Sequence, residues 1–309
     1  IKDKDDYIIF STYQSCLSLS DYDFDFIIFD EAHRTAVQPE TEDDLTGFNY
    51  YVKNKKTVKK LFMTATEKIC KETNNDDEIE VLSMDNEEIY GKNIHHLSIY
   101  QAKQLGALSD YEIIIMRKNL DELLGKTKID NIKKKYAGKK DINKALTYYA
   151  KANALIKFIN QYNVTHIITK HTTCDNANMF ATILKEEIDD IDVFYIDGND
   201  TISRRNKIIN KFKQSDLSVI CQAKVLSEGV NIVECDSVIP IDDIESTLDI
   251  IQFLGRMLRT MKGKEKAYML IPMLASNEID IINEKRAYNN VRILLRAISY
   301  EDERINNYF

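Results

Sequence analysis

Short, continuous apolar runs recur along the chain, and amphipathic helical patterns lie between them. The clearest runs are residues 26–29, 60–64, 113–116, 164–169, 193–196, 217–221, 237–241 and 267–271. Runs of this length are typical of strands that are buried on both faces of a parallel sheet. A further strand is expected at residues 7–10. The alternation of strands and helices predicts an α/β fold with parallel sheets.

Two polar, lysine-rich stretches interrupt this alternation. Residues 68–80 are expected to form a surface loop, and residues 118–144 helices and loops inserted on the surface. The charges of the second stretch favour a solvated face over a binding patch.

The pattern divides the chain into three parts. Residues 1–92 are predicted to form a first, partial α/β unit, and residues 93–275 a second unit with a helical insertion at about 118–160. A helical extension follows at 276–309. The first unit holds two convincing core strands, whereas an open sheet usually has about five.

Composition narrows the possible classes of protein. The 309 residues are 44% apolar and carry a net charge of −8. This balance argues against a broad basic surface for nucleic acid, although a narrow groove can still grip a single strand.

The cysteines, the hydropathy and the first residue indicate the cellular compartment and whether the sequence is a fragment. The five cysteines form no C-x-x-C pair, which makes a zinc site unlikely and fits a reducing compartment. No apolar run has the ~20 residues of a membrane span, and there is no signal peptide. We therefore expect an intracellular, cytoplasmic protein. The first residue is Ile1 rather than methionine, so a fragment is expected.

The stretch "FIIFDEAHRT", residues 26–35, ends a buried strand in two acids, Asp30 and Glu31. At the carboxyl edge of an α/β sheet, such an aspartate can hold magnesium on nucleotide phosphates, and the glutamate can activate water. His33 follows on the emerging turn. Solvent exposure alone could explain two acids, but "DEAH" directly after a buried strand favours function.

Three shorter segments carry weaker signals. Hydroxyl and amide groups of "STYQS" (Thr12, Gln14, Ser15) suit phosphate contacts, although a polar turn is an equally good interpretation. In "LFMTAT", Thr64 and Thr66 end a strand and can hydrogen-bond a neighbouring group. In "VLSEGVNI", a glycine permits close approach of the backbone to a ligand. The candidate contacts there are Glu228, Gly229 and Asn231.

The segment "QFLGRMLR", residues 252–259, lies in a helical pattern that begins near Ser246. Gln252, Arg256 and Arg259 recur at helical spacing and are predicted to share one face with Gly255. Two arginines suit bidentate phosphate contacts. A solvated arginine pair is the alternative, but a glycine in mid-helix costs ~1 kcal/mol and suggests a close approach.

The segment "LLGKT", residues 123–127, resembles the end of a phosphate-binding P-loop. That loop requires G-x-x-x-x-G-K-[ST], and position 120 is Leu120 rather than glycine. The preceding "NLDELL" predicts a helix, so we reject this segment as a P-loop.

Taken in order, "STYQS", "DEAH", "TAT", "LSEGVN" and "QFLGRMLR" resemble the motifs of superfamily 2 helicases. Residues 89–116 further resemble the segment between the two motor domains of large DEAD/DEAH helicases related to type III restriction subunits. The resemblance implies two RecA-like domains, the first truncated, with ATP and Mg²⁺ between them and DNA or RNA across both as a single strand.

The resemblance also implies roles for individual residues. Asp30 would bind Mg²⁺ through water and Glu31 would activate the attacking water, with His33 beside them. Thr64 and Thr66 would couple hydrolysis to movement. Arg256 and Arg259 would reach the γ-phosphate, with Gln252 beside them. Glu228, Gly229 and Asn231 would line the nucleotide site. The residues that contact the nucleic-acid strand would be Thr12, Gln14 and Ser15 in the first domain, and Lys170 and His171 of "ITKHTT" in the second.

Two departures leave alternatives open. Asn231 stands where many relatives have aspartate, and the sequence contains no P-loop lysine, without which ATP catalysis should collapse. The favoured hypothesis is the C-terminal portion of an ATP-dependent helicase, inactive alone. The others are a catalytically inactive nucleic-acid-binding module and a restriction-type DNA translocase subunit.

Overall fold

The structure, a computed structural model, describes residues 7–37, 47–54, 58–70, 81–138, 141–223, 232–243, 246–275 and 281–308. The chain divides into two compact units, residues 1–96 and 97–309. Each contains parallel strands together with helices, so the predicted α/β class is confirmed.

The first unit is built on a parallel pair of strands, β1 (Phe26–Phe29) and β2 (Lys59–Phe62). The ring of Phe29 stacks on that of Phe62 with 4.7 Å between centroids, and Phe62 in turn contacts Tyr90 at 4.9 Å. This aromatic cluster sets the two strands side by side. In the described part of this unit the helices are α1 (Gly47–Asn54), α2 (Glu87–Tyr90) and two 3-10 helices, Cys16–Leu19 and Ala32–Thr35.

The prediction of a strand at residues 7–10 is wrong. These residues have no regular secondary structure, and Ile8 and Phe10 are 84% and 94% exposed. An apolar run becomes a strand only when a neighbouring strand satisfies its backbone. No strand of the described residues pairs with this run.

The second unit is built on a six-stranded, fully parallel sheet with the order β3-β8-β7-β4-β6-β5. Its strands are β3 (Asp110–Lys118), β4 (His166–Lys170), β5 (Asp192–Ile196), β6 (Ser218–Gln222), β7 (Ser237–Pro240) and β8 (Lys266–Leu274). Every one of the eight apolar runs named above overlaps a strand of one of the two sheets. Their prediction is confirmed.

Helices cover both faces of this sheet. The helices are α3 (Ile99–Gln104), α4 (Leu120–Leu124), α5 (Lys126–Lys135), α6 (Ile142–Tyr162), α7 (Cys174–Glu187), α8 (Ile202–Gln214), α9 (Thr247–Met257) and α10 (Ile281–Ser299). Successive strand side chains point to opposite faces, so Ile167 packs in one apolar cluster with α6 and α7, and Ile168 in another with α8, α9 and α10. None of the helices in the described part of the chain has the length and apolarity that a bilayer crossing requires.

Hydroxyl side chains begin four of these helices. Ser98, Thr173, Thr201 and Ser246 each accept a hydrogen bond from the backbone N–H three residues later. Such caps satisfy amides that the first helical turn leaves without a partner. The predicted helix start near Ser246 is therefore confirmed.

The interpretation of residues 118–144 as a surface insertion needs correction. Helices α4 to α6 form, with α7, a regular layer on one face of the sheet, and Tyr148, Leu155 and Phe158 of α6 are fully buried. The lysines of α5 do lie toward solvent, where Lys128 pairs with Glu187 and Lys135 with Glu186. The lysines on the exposed face of α5 thus drew attention away from the apolar, buried face of α6.

Replacing Phe158 with alanine should destabilise the second unit by about 3–5 kcal/mol. The ring is 0% exposed and packs on Tyr162 and Tyr268 with centroids 5.1 Å and 6.2 Å away, so truncation leaves a cavity. Urea unfolding measures the change, and the exposed Asn160→Ala on the same helix is the control. Equal stability of the two variants would contradict this packing.

The C-terminal segment packs on the second unit. Leu294, Ala297 and Ile298 of α10 are buried in its core. Beyond α10, Asp302 accepts a hydrogen bond from the Tyr111 hydroxyl at 2.9 Å. Asp302 also pairs at 2.6 Å with Arg304, which lies in a last 3-10 helix, Glu303–Tyr308. These contacts join the chain end to β3.

Candidate functional site

In the first unit, Asp30 and Glu31 follow β1 directly at the carboxyl edge of the parallel pair. Asp30 is exposed, and its Oδ1 accepts the Glu31 N–H at 3.1 Å. Glu31 adopts a left-handed backbone conformation (φ 51°), which turns the chain sharply after the strand. Non-glycine residues rarely occupy this conformation, and they concentrate at functional sites.

His33 connects this turn to the end of β2. Its Nδ1 lies 3.0 Å from the Thr64 hydroxyl and 3.4 Å from Glu31 Oε2. Burial lowers the pKa of His33, and Arg34 and Lys68 lower it further, so the ring is neutral at pH 7. The Thr64 hydroxyl donates to the Thr66 carbonyl at 2.9 Å. One hydrogen-bonded chain therefore runs from the "DEAH" stretch to the "TAT" stretch.

The "STYQS" segment forms an exposed turn next to Asp30. Ser15 N–H donates to the Thr12 carbonyl at 3.1 Å, and Thr12, Gln14 and Ser15 are exposed. The Tyr13 hydroxyl between them donates to the Asp30 carbonyl at 2.7 Å. Burial, and then Asp30, raise the pKa of Tyr13 to about 12, so this hydroxyl remains a donor.

The first unit fits magnesium only in part. Asp30 and Glu31 supply the oxygen donors that Mg²⁺ prefers, and phosphate oxygens and water complete its shell in nucleotide sites. Within the described ranges, no group of three or more metal-ligating side chains could hold an ion by itself. The rejected "LLGKT" segment lies at the α4–α5 junction, and α4 occupies residues 120–124 as expected.

In the second unit, α9 carries two of the three polar residues predicted there, Gln252 and Arg256. Arg256 is only 9% exposed, and Gln252 is half-buried. The prediction that Arg259 shares their helix face is wrong, because α9 ends at Met257. Arg259 instead forms an isolated β-bridge with Leu108. The predicted nucleotide contacts Glu228, Gly229 and Asn231 lie outside the described residues.

Lys170 is the last residue of β4 and His171 follows it, and the two side chains differ in exposure. Lys170 pairs with Asp249 at 3.1 Å, and its ammonium lies 6.0 Å from the Phe253 ring centre. His171 is 2% exposed, and its Nε2 lies 2.9 Å from the Thr169 hydroxyl. This burial does not favour a direct contact between His171 and a bound strand.

Asp242, which sequence reasoning missed, organises this edge of the sheet. It follows β7 and accepts hydrogen bonds from Tyr148 Oη (2.7 Å), Asn176 Nδ2 (2.7 Å) and the Thr172 N–H and hydroxyl (3.0 and 3.1 Å). Burial opposes ionisation of Asp242, but these donors outweigh it and lower its pKa. The signal was present, because "VIPIDD" is a second buried strand that ends in two acids.

A cavity of about 620 Å³ opens beside Asp242. Its charged lining balances three lysines against three aspartates: Lys144, Lys151, Lys170, Asp242, Asp243 and Asp249. The Lys151 ammonium donates to the Ile241 carbonyl, and burial lowers its pKa. The cavity thus lies at the carboxyl ends of parallel strands, where α/β folds bind ligands.

His171 should make the stability of the second unit depend on pH. Burial lowers its pKa from 6.5 to about 4, against the opposing charge of Asp242. Between these values the unfolded chain binds a proton that the folded chain does not, so stability falls by up to about 3 kcal/mol as pH drops from 6.5 to 4. Urea unfolding of His171→Gln across this range should lose that slope.

The matched control for this prediction is the exposed histidine variant His95→Gln. It should keep the slope of the unmodified chain. A slope that is the same in the unmodified chain and in His171→Gln would contradict the assignment.

A six-stranded parallel sheet with helices on both faces and polar side chains at its carboxyl edge is the architecture of a RecA-like domain. Residues 150–261 match the family model described as helicase conserved C-terminal domain. Together with the fold, this match shows that residues 150–261 resemble a helicase C-terminal domain. A comparison with curated protein sequences finds no match.

Solved structures align with this chain to different extents. The type ISP restriction-modification enzyme LlaBIII bound to DNA aligns with a TM-score of 0.72 and 21% identity, over 95% of this chain and 21% of that one. A nuclease-deletion mutant of the type ISP enzyme LlaGI aligns with a TM-score of 0.49 and 19% identity, over 94% and 18%. S. cerevisiae Dbp5 bound to RNA and ADP BeF3 aligns at 0.49 and 14%, over 89% and 57%. The chain thus spans about a fifth of the length of LlaBIII.

Proposed function

We propose that this chain works in an ATP-dependent helicase or translocase of superfamily 2 that acts on DNA or RNA. The observation that carries the proposal is the contact of 3.0 Å between His33 and Thr64. It joins the strand end that holds two carboxylates to the neighbouring strand end within one parallel pair. Such a connection lets a change at the carboxylates reach the second strand.

The first unit would supply the acid–base groups. ATP with Mg²⁺ supplies a phosphoryl group whose transfer to water can drive movement. Asp30 would bind the metal, directly or through water, and Glu31 would orient and deprotonate the attacking water. Neutral His33 would transmit the state of Glu31 to Thr64, and Thr66 would extend this connection through its carbonyl.

The second unit would supply side chains that contact phosphate and nucleotide. Arg256 and Arg259 would stabilise charge on the transferred group, with Gln252 beside them. Glu228, Gly229 and Asn231 would contact the nucleotide. Thr12, Gln14, Ser15 and Lys170 would contact the phosphates of a single strand, and His171 would keep the Lys170 segment in place.

A direct test uses a protein that joins this chain to a phosphate-binding loop. We expect its release of phosphate from ATP to rise when single-stranded DNA or RNA is added, and the 309-residue chain alone to show none. Displacement of a labelled strand would distinguish a helicase from a pure translocase. If neither DNA nor RNA raised the rate of phosphate release, the proposal would be contradicted and an inactive binding module favoured.

A further inference from the structure

Lys264, which lies beyond the helicase motifs, makes an unusual set of contacts. Its ammonium donates to four backbone carbonyls, those of Cys235 (2.7 Å), Arg259 (2.9 Å), Val233 (3.4 Å) and Met257. An ammonium has three protons, so the carbonyls share them. Lys264 is half-buried, and burial lowers its pKa, which reflects the cost of placing this charge inside.

The four carbonyls belong to two separate segments of the chain. Met257 is the last residue of α9, and Arg259 follows two residues later. The last carbonyls of a helix lack partners within it and carry partial negative charge, so a cation stabilises them. Val233 and Cys235 lie in the segment that enters β7, shortly after residues 225–232, the "VLSEGVNI" stretch. Lys264 therefore joins the end of α9 to the segment after that stretch.

A tight turn directs Lys264 back onto these carbonyls. The Lys264 N–H donates to the Met261 carbonyl at 3.1 Å. Gly263, between them, has φ +89°. This conformation is available to glycine at little cost and is strained for other residues. The turn therefore fixes the direction from which the ammonium approaches.

The backbone of Arg259 is also held from the opposite direction. Leu108 forms a β-bridge with Arg259, and the Ser109 N–H donates to the Leu258 carbonyl at 2.7 Å. The position of Arg259 therefore depends on Ser109 on one side and Lys264 on the other. Because Arg259 lies beyond the helix, helical hydrogen bonding does not fix it.

We propose that Lys264 is a positioning residue, which holds the backbone of Arg259 so that its guanidinium reaches the nucleotide. This inference rests on the proposed role of Arg259 in ATP turnover. The Lys264 ammonium acts through the backbone carbonyls that it contacts. Its effect is on geometry, and displacement of a catalytic group by ~1 Å can cost up to ~100-fold in rate.

The first experiment measures backbone hydrogen exchange in the 309-residue chain. Lys264→Met should speed exchange in peptides that cover residues 232–236 and 257–260 by about tenfold or more, because it removes the shared donor. Lys266→Met is the matched control, since Lys266 lies two residues away and pairs with Glu112 at the surface, at 3.1 Å. If Lys264→Met unfolds the unit, Lys264→Gln, which keeps two donors, replaces it. Unchanged exchange in these peptides would overturn the proposal.

The second experiment measures ATP turnover in a protein that joins this chain to a phosphate-binding loop. Lys264→Met should lower kcat by about 10- to 100-fold and leave KM nearly unchanged, as for loss of a transition-state contact. Added to Arg259→Ala, it should cause little further loss. A lysine that only supports the fold would lower turnover additively in the double variant, which would overturn the proposal.

The two experiments separate the inference from the proposed function. Unchanged turnover in Arg259→Ala alone would overturn the proposed role of that arginine and, with it, the role of Lys264 in turnover. Unchanged hydrogen exchange in Lys264→Met would overturn the positioning role of Lys264 while leaving the proposed function in place.

Discussion

Glu31→Gln should reduce ATP turnover by at least about 100-fold in a protein that joins this chain to a phosphate-binding loop. The amide cannot take a proton from the attacking water, whereas its shape and its contact with His33 can persist. The fold should therefore survive, because Glu31 lies at an exposed turn and His33 stays buried against Thr64. Phosphate release with and without nucleic acid measures the effect.

The control for this experiment is Glu87→Gln, an exposed acid in the first turn of α2 in the same unit. Its turnover should match that of the unmodified protein. Binding of single-stranded nucleic acid, measured by fluorescence anisotropy, should be retained in both variants. If Glu31→Gln turned over ATP at the normal rate, Glu31 would not be the general base, and the catalytic interpretation of "DEAH" would fail.

The inner strands of the second sheet could be predicted because they are buried along their length, as β6 and β7 are. Continuous apolar runs such as residues 217–221 then stand out against the helical periodicity around them. Local chemistry also predicted a helix start, since Ser246 caps α9. Strand order could not be predicted, because every parallel strand carries the same pattern.

The wrong predictions arose where packing rather than local pattern decides the structure. Residues 7–10 are apolar enough for a strand but pair with no strand of the described residues. The lysines of residues 118–144 suggested a surface insertion, although Tyr148 and Phe158 of the following helix are buried in the core. Helical spacing placed Arg259 on α9, but the helix ends at Met257, and Lys264 and Leu108 hold the residues beyond it.

The candidate site was predictable to the extent that its residues follow strands directly. Asp30, Glu31 and Thr64 end adjacent strands, so a shared edge brings them together. Asp242 also follows a strand, but its importance depends on Tyr148, Thr172 and Asn176, which come from distant parts of the sequence. Only the folded arrangement shows that four hydrogen bonds converge on one carboxylate.

Arg259→Ala should reduce ATP turnover by about 1000-fold or more in the same protein, the range that a phosphate-contacting arginine provides. The guanidinium stabilises charge that grows on the transferred group, so kcat should fall far more than KM rises. Arg259→Lys should recover only part of the rate, because an ammonium is a point charge without the planar fork. Steady-state phosphate release over a range of ATP concentrations separates the two parameters.

The fold itself should be insensitive to Arg259→Ala. The hydrogen bonds that hold position 259 run through its backbone, to Lys264 at 2.9 Å and through the bridge with Leu108, and alanine retains both. Arg292→Ala, an exposed arginine on α10, is the control and should turn over ATP normally. If Arg259→Ala kept normal kcat while Arg256→Ala lost it, the arginine that contacts phosphate would be the one within α9. The catalytic arginine would then lie within α9 and not in the segment whose backbone Lys264 holds.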